Sequence, residues 1–235
     1  MSTAKQIREQ LADLGDPAIA EHSARFFKTG PGEYGEGDRF RGIRVPVLRG
    51  LAKRQASAPL RTVMALLKSR CHEDRLAAVL ILVLQYQRGD AQHRTRIYDA
   101  YLANTEHINN WDLVDSSAHK IVGPHLQDRD RAPLYSLVES TSLWERRIAM
   151  MSTLHFIKQD DFDDALAIAE LLLHDTEDLI HKIVGWMLRE VGNRDIRVEE
   201  DFLRGRYQDM PRTMLRYAIE KFPEPRRRAY IEGTI

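Results

Sequence analysis

The chain lacks most of the features that mark secreted, membrane-spanning and metal-dependent proteins. It has a single cysteine, Cys71, which excludes an internal disulfide framework. Its longest apolar stretch, Leu76 to Leu84, is shorter than the roughly 20 residues that cross a bilayer. The N-terminal residues MSTAKQIREQ contain no apolar signal-peptide core. His119 and His125 are six residues apart and form no zinc signature. We therefore expect a cytoplasmic protein with no membrane association, no metal and no cofactor.

The chain also lacks an excess of charge of either sign. Lysine plus arginine total 35 and aspartate plus glutamate total 35, for a formal net charge of +0. Nucleic-acid-binding domains usually carry a net positive charge. If this chain binds DNA, its cations must therefore be concentrated on one face.

Strand patterns are almost missing, whereas amphipathic helical periodicity runs through the chain. Hydrophobic residues make up 43% and charged residues 30%, which is typical of a folded globular protein. The sequence therefore predicts an all-α fold in a single domain, 1–235. The predicted helices are 2–14, 17–29, 46–56, 58–69, 73–88, 91–103, 110–127, 131–140, 142–158, 161–173, 176–192, 197–208 and 211–222.

One long irregular segment, the glycine-rich loop at about 29–45, interrupts the helices. It contains no Gly-Lys-Ser/Thr ending, so it is not a phosphate-binding P-loop. Two interpretations remain open at the level of sequence. The loop is either a flexible connection between helices or a loop at the mouth of a binding groove.

A repeated pattern of one cation followed by three small or apolar residues marks four of the helices. The pattern recurs about every 35 residues, and Trp111 occupies the position expected for the repeat that follows Arg75. Helix pairs of that length predict a HEAT-like solenoid of antiparallel helix pairs, with equivalent positions lining a concave, basic groove. The same pattern also suits a protein-binding adaptor. The four segments are Arg75-Leu-Ala-Ala, Arg147-Ile-Ala-Met, Lys182-Ile-Val-Gly and Arg216-Tyr-Ala-Ile.

Trp111 and Asp115 are the strongest candidates for chemistry. They are four residues apart on a predicted helix and therefore share a face. Core packing explains an indole well but explains a carboxylate poorly, because a buried carboxylate needs a partner or a function. Arg147, Lys182 and Trp186 lie in the following repeats, so an open cleft with two indoles, one carboxylate and cations is expected.

These segments resemble the AlkD family of alkylpurine DNA glycosylases. The resemblance rests on Trp111-Asp-Leu-Val-Asp115, Trp144-Glu-Arg-Arg147 and His181-Lys-Ile-Val-Gly-Trp-Met-Leu-Arg-Glu190. It implies a HEAT-like superhelix that excises cationic N3- and N7-alkylated purines from double-stranded DNA without enclosing the base in a pocket.

The resemblance also implies roles for individual residues. Asp115 corresponds to the catalytic aspartate, and Trp111 and Trp186 correspond to the tryptophans beside the lesion and sugar. Arg147 matches the family's arginine, and Phe26 matches an aromatic residue that approaches the DNA. The periodic cations Arg75, Arg147, Lys182 and Arg216 are expected to bind DNA phosphates.

Two other functions remain open at this level. One is a noncatalytic member of the same superfamily that binds DNA structures, because a fold alone does not establish catalysis. The other is a HEAT-like adaptor that binds proteins through an apolar concave surface. The favoured expectation is a monomeric DNA glycosylase of the bacterial cytoplasm, associated with the nucleoid.

Overall fold

The computed structural model describes residues 2–235, and these residues form an all-α protein. The only β-type pairing among them is an isolated parallel bridge between Arg39 and Cys71. The prediction of an all-α fold is confirmed. No helix in this part of the chain combines the length and the apolar character needed to span a bilayer.

Contacts between backbone positions divide the chain into two compact units, 1–121 and 122–235. The single domain expected from the sequence stays a prediction. The helices that begin in the first unit are α1 Ala4–Asp13, α2 Pro17–Phe26, α3 Val45–Arg54, α4 Leu60–Leu67, α5 His72–Arg88, α6 Ala91–Leu102 and α7 Trp111–Leu126, with a 3₁₀ turn at Thr105–His107.

The second unit consists of shorter helices around one long one. They are α8 Ala132–Val138, α9 Leu143–Ser152, α10 Leu154–Ile157, α11 Asp163–Leu171, α12 Asp178–Arg194, α13 Ile196–Arg204, α14 Arg212–Ala218 and α15 Glu224–Glu232, with a 3₁₀ turn at Ile219–Lys221.

Side-chain caps define where several helices begin. Thr3 forms a capping box with Gln6 at α1. Asp16 accepts hydrogen bonds from the Ala18 and Ile19 amides of α2, and Asp90 accepts one from the His93 amide of α6. Such caps satisfy N–H groups that have no intrahelical partner. At these three helices the predicted start lies within two residues of the observed one.

Helix α5 forms the core of the first unit. It packs against α3, α4 and α6, and its side chains are buried from His72 to Val83. The apolar run from Leu76 explains this burial, because removing such side chains from water is the main stabilising contribution of a core. The ionisable residues of its first turn are buried with it, and they shape the site described below.

In the second unit, α12 packs against both α9 and α14. Arg147 lies on α9, Lys182 on α12 and Arg216 on α14, so the repeat seen in the sequence corresponds to helices that are neighbours in the structure.

Three helix predictions needed correction. The segment 142–158 is two helices, α9 and α10, and 211–222 ends as a 3₁₀ turn. Helix α2 stops at Phe26 because Lys28 adopts a left-handed conformation, with φ 52°. Helix α15 was not predicted at all, because its charged residues show little helical periodicity.

Candidate functional site

The first turn of α7 carries the candidate catalytic pair. Trp111 is the first residue of the helix, and its backbone N–H donates to Asn110 Oδ1 at 2.8 Å. Asp115 follows one turn later and is half-buried. Burial raises the pKa of the Tyr101 hydroxyl, and the negative charge of Asp115 raises it further. The predicted juxtaposition of indole and carboxylate on one helix is present.

Aromatic rings surround Trp111. Phe27 stacks on it with ring centroids 5.3 Å apart, and Phe26 meets it edge-on at 6.0 Å. Phe26 is 58% exposed, so its ring is open to solvent beside the indole. Phe40, from the glycine-rich loop, also stacks on Phe27, with ring centroids 5.1 Å apart. The resemblance implied Phe26 as a DNA contact, and the structure places it beside Trp111 together with Phe27 and Phe40.

A buried histidine lies beneath these rings. The ring of His72 lies 4.8 Å from that of Phe27 and 4.7 Å from that of Phe40. Its Nδ1 is 3.1 Å from Asp38 Oδ2, and its Nε2 is 2.8 Å from Asp112 Oδ2. His72 therefore links the glycine-rich loop, α5 and the first turn of α7.

The two carboxylates determine the charge of His72. Burial opposes protonation of the ring, but the hydrogen bonds to Asp112 and Asp38 outweigh it and raise the pKa of His72 to about 9. Burial alone would raise the pKa of Asp38, yet His72 and Arg75 together lower it below its ordinary value. His72 is therefore a cation at neutral pH.

The glycine-rich loop is anchored to the first turn of α5. The Glu73 carboxylate accepts hydrogen bonds from three consecutive backbone N–H groups, at positions 41–43. The Arg41 guanidinium donates to both oxygens of Asp74, at 2.7 and 3.0 Å. The interpretation of this segment as a flexible connection is therefore wrong for residues 38–43.

Arg75 does not occupy the surface position that the repeat predicted. It is 3% exposed, and its Nη2 donates to both oxygens of Asp38 at 2.7 and 2.9 Å. A guanidinium held in this way is enclosed by its own protein. We therefore remove Arg75 from the expected phosphate contacts, because its partner is the glycine-rich loop.

The second unit holds the remaining predicted residues. Arg147 is 4% exposed and donates to the Leu179 carbonyl at 2.6 Å. Lys182 is partly exposed and pairs with Asp178 at 2.7 Å. Trp186 is half-buried and donates from Nε1 to Glu190 Oε1 at 2.9 Å, and Arg216 is exposed. Thus Lys182 and Arg216 present charge to solvent, whereas Arg147 is largely enclosed.

The first unit exposes cations that the repeat did not identify. Arg49 and Lys53 are one turn apart on α3 and are both exposed. With Lys120 of α7 and Gln87 of α5 they line an open groove of about 230 Å³. Neither Arg49 nor Lys53 forms an ion pair within residues 2–235. Their spacing of four residues is visible in the sequence, but it falls outside the repeated motif.

Sequence reasoning also missed His72. The available signal was the run His72-Glu-Asp-Arg75 directly before the apolar stretch of α5, because charged residues entering a core need partners. Within the described part of the chain, no three His, Cys, Asp or Glu side chains are grouped as metal ligands would be.

Comparisons with known proteins agree with the sequence patterns. A family model described as DNA alkylation repair enzyme matches residues 7–222. A solved structure, a predicted DNA alkylation repair enzyme from Enterococcus faecalis, is similar with a TM-score of 0.70 and 18% sequence identity. The match covers 89% of this chain and 97% of that one, and it shows a shared helical fold. No significant match is found among curated proteins.

Proposed function

Because the chain belongs to the DNA alkylation repair enzyme family, we propose that it hydrolyses the N-glycosidic bond of N3- and N7-alkylated purines in double-stranded DNA. The observation that carries this proposal is the arrangement of side chains at the start of α7. It places Asp115 one helical turn beyond an indole that is flanked by exposed aromatic surface.

The chemistry needs one carboxylate and no general acid. A purine alkylated at N3 or N7 already carries positive charge, so it leaves without being protonated. As the glycosidic bond breaks, positive charge develops on the sugar, and a nearby carboxylate stabilises that oxocarbenium-like state. We assign this role to Asp115, together with positioning the water that attacks the sugar.

The aromatic residues are suited to a cationic lesion. The face of an indole attracts cations by about 0.5–2 kcal/mol, depending on desolvation. We propose that Trp111, with the exposed Phe26 beside it, contacts the lesion and its sugar. Trp186, on α12 of the second unit, is proposed for the same kind of contact. Stacking on an open surface also explains how a base could be recognised without a closed pocket.

Cations are proposed to bind the phosphate backbone of the DNA. In the second unit these are the exposed Arg216 and the partly exposed Lys182. Arg147 was expected among them, but it is as enclosed as Arg75, so we do not propose it as a phosphate contact. In the first unit, Arg49 and Lys53 replace Arg75. Phosphate contacts of this kind set the register of the protein on DNA and carry no sequence preference.

The test is release of N3-methyladenine and N7-methylguanine from methylated duplex DNA. We expect wild-type protein to release both bases and Asp115→Asn to be slower by on the order of 10²-fold or more. Asp99→Asn, an exposed aspartate of α6, is the matched control and should keep the wild-type rate.

The outcomes separate the candidate functions. Equal release by Asp115→Asn and wild type would remove Asp115 from the reaction. Tight DNA binding with no release by the wild type would favour a noncatalytic DNA-binding protein of the same family. Neither release nor DNA binding would favour the protein-binding adaptor.

A further inference from the structure

The buried histidine beside the proposed site takes no part in the reaction described above. His72 is 2% exposed, so it cannot contact DNA directly. Both of its ring nitrogens nevertheless lie within hydrogen-bonding distance of carboxylates, Asp38 from the loop and Asp112 from α7. A core position could have been filled by an apolar residue, so the polar arrangement calls for an explanation.

Both contacts of the His72 ring are hydrogen bonds only when the ring carries two protons. Ionised carboxylates only accept hydrogen bonds, so each ring nitrogen must donate. Arg75 supplies a second cation to Asp38, and the cluster of Asp38, His72, Arg75 and Asp112 is then electrically balanced. The groups that face the ring from other elements are these two aspartates and the rings of Phe27 and Phe40.

The position of Asp112 connects this cluster to the site. Asp112 lies between Trp111 and Asp115, in the first turn of α7. The N–H groups of a first turn have no intrahelical acceptors, so the end of an isolated helix frays. The Trp111 ring stacks on Phe27, which itself lies against His72. His72 therefore supports the first turn of α7 through Asp112, and it supports the Trp111 indole through Phe27.

We propose that His72 is a positioning residue. By bridging Asp38 and Asp112, it holds the first turn of α7 against α5, so that Trp111 and Asp115 keep the geometry needed for base release. This inference rests on the proposed function of Asp115. The effect is expected on the rate of bond cleavage and not on DNA affinity, because a misplaced catalytic group lowers the rate of the chemical step.

The main experiment compares His72→Gln with Gln85→Met. Gln85 lies on the same helix and is also buried, and it donates to the carbonyl oxygens of Ala56 and Ala58, away from the loop and α7. We expect His72→Gln to lower the single-turnover rate of base release by about 10-fold or more, with the Kd for DNA changed by less than about two-fold. Gln85→Met should keep a rate close to that of the wild type.

A second measurement does not depend on activity. Amide hydrogen exchange over 111–117 reports how firmly the first turn of α7 is held. We expect exchange there to be faster by about 10-fold in His72→Gln and unchanged in Gln85→Met. In the wild type, ¹⁵N NMR of the imidazole should show both ring nitrogens protonated at pH 7.5, consistent with a His72 pKa of about 9.

The results either support or overturn the role of His72. Equal rate losses in the two variants would mean that His72 only supports the fold, and so would a neutral ring at pH 7.5. If the wild type releases no base, the proposed function fails, and the exchange data alone decide whether His72 holds α7. If His72→Gln does not fold, Asp112→Asn replaces it, because it removes the same link from the other side.

Discussion

At the scale of single residues, burial decides which cations are available to a ligand. Arg75 and Lys182 occupy equivalent positions in the repeat, yet one is enclosed and the other is partly exposed. The difference arises because Asp38 reaches Arg75 from the glycine-rich loop. A cation already bound to a buried carboxylate cannot bind a phosphate without breaking that pair.

This difference predicts the phenotype of Arg75→Gln. Removing one member of a buried ion pair leaves an uncompensated charge and typically costs about 3–5 kcal/mol. We expect a loss of that size in the free energy of unfolding, measured by urea denaturation, with little change in DNA affinity of the folded protein. Arg88→Gln, at the exposed end of the same helix, should change neither quantity. If Arg75→Gln instead bound DNA more weakly at unchanged stability, Arg75 would again be a candidate for contacting DNA phosphates.

At the scale of elements, the glycine-rich loop is a fixed part of the first unit. Its end is held by Glu73 and Asp74, and its Phe40 contributes to the aromatic cluster beside Trp111. The loop and α5 together support the first turn of α7. An irregular segment of this length is therefore explained by the side chains it positions.

Gly42 shows how tightly the loop is built. Its φ is +79°, and a Cβ there would lie 2.0 Å from the Asp16 carbonyl oxygen. We expect Gly42→Ala to lower the free energy of unfolding by about 3 kcal/mol or more, because backbone strain adds to a backbone clash. Gly37 is the matched control. It has φ +81° but open space around it, so Gly37→Ala should cost about 1 kcal/mol. Equal losses of stability in the two variants would show that the backbone around Gly42 shifts enough to accommodate a Cβ atom.

At the scale of the whole molecule, positive and negative side chains are equal in number, and many of them form ion pairs. The formal net charge is +0, and many arginines are bound to acidic side chains, as Arg146 is to Asp175 and Arg194 is to Asp160. Affinity for DNA must therefore come from the cations that remain exposed. Net charge is consequently a poor guide to function for this protein.

The salt dependence of DNA binding tests that conclusion. Each phosphate contact contributes about 0.9 to the slope of log K against log salt concentration. We expect the magnitude of the slope to fall by about that amount in Lys53→Ala, measured on duplexes of unrelated sequence. Lys5→Ala, an exposed lysine of α1, should leave the slope unchanged. An unaltered slope for Lys53→Ala would exclude it from the phosphate contacts.

The sequence by itself determined the fold class and the central pair of the site. Hydrophobic periodicity and helix caps act over a few residues, so the all-α fold and most helix positions could be predicted from them. The placement of Trp111 and Asp115 on one face follows from a spacing of four residues within one helix. Both are local properties of the chain.

Only the tertiary structure decided which charged residues are free and which hold the site together. Asp38 and Asp112 are far from His72 along the chain, so no local pattern predicts that they meet on either side of its ring. The same holds for Arg75, whose partner lies in the loop. Burial lowers the local polarity and makes such pairings obligatory, but their identity depends on how distant segments pack.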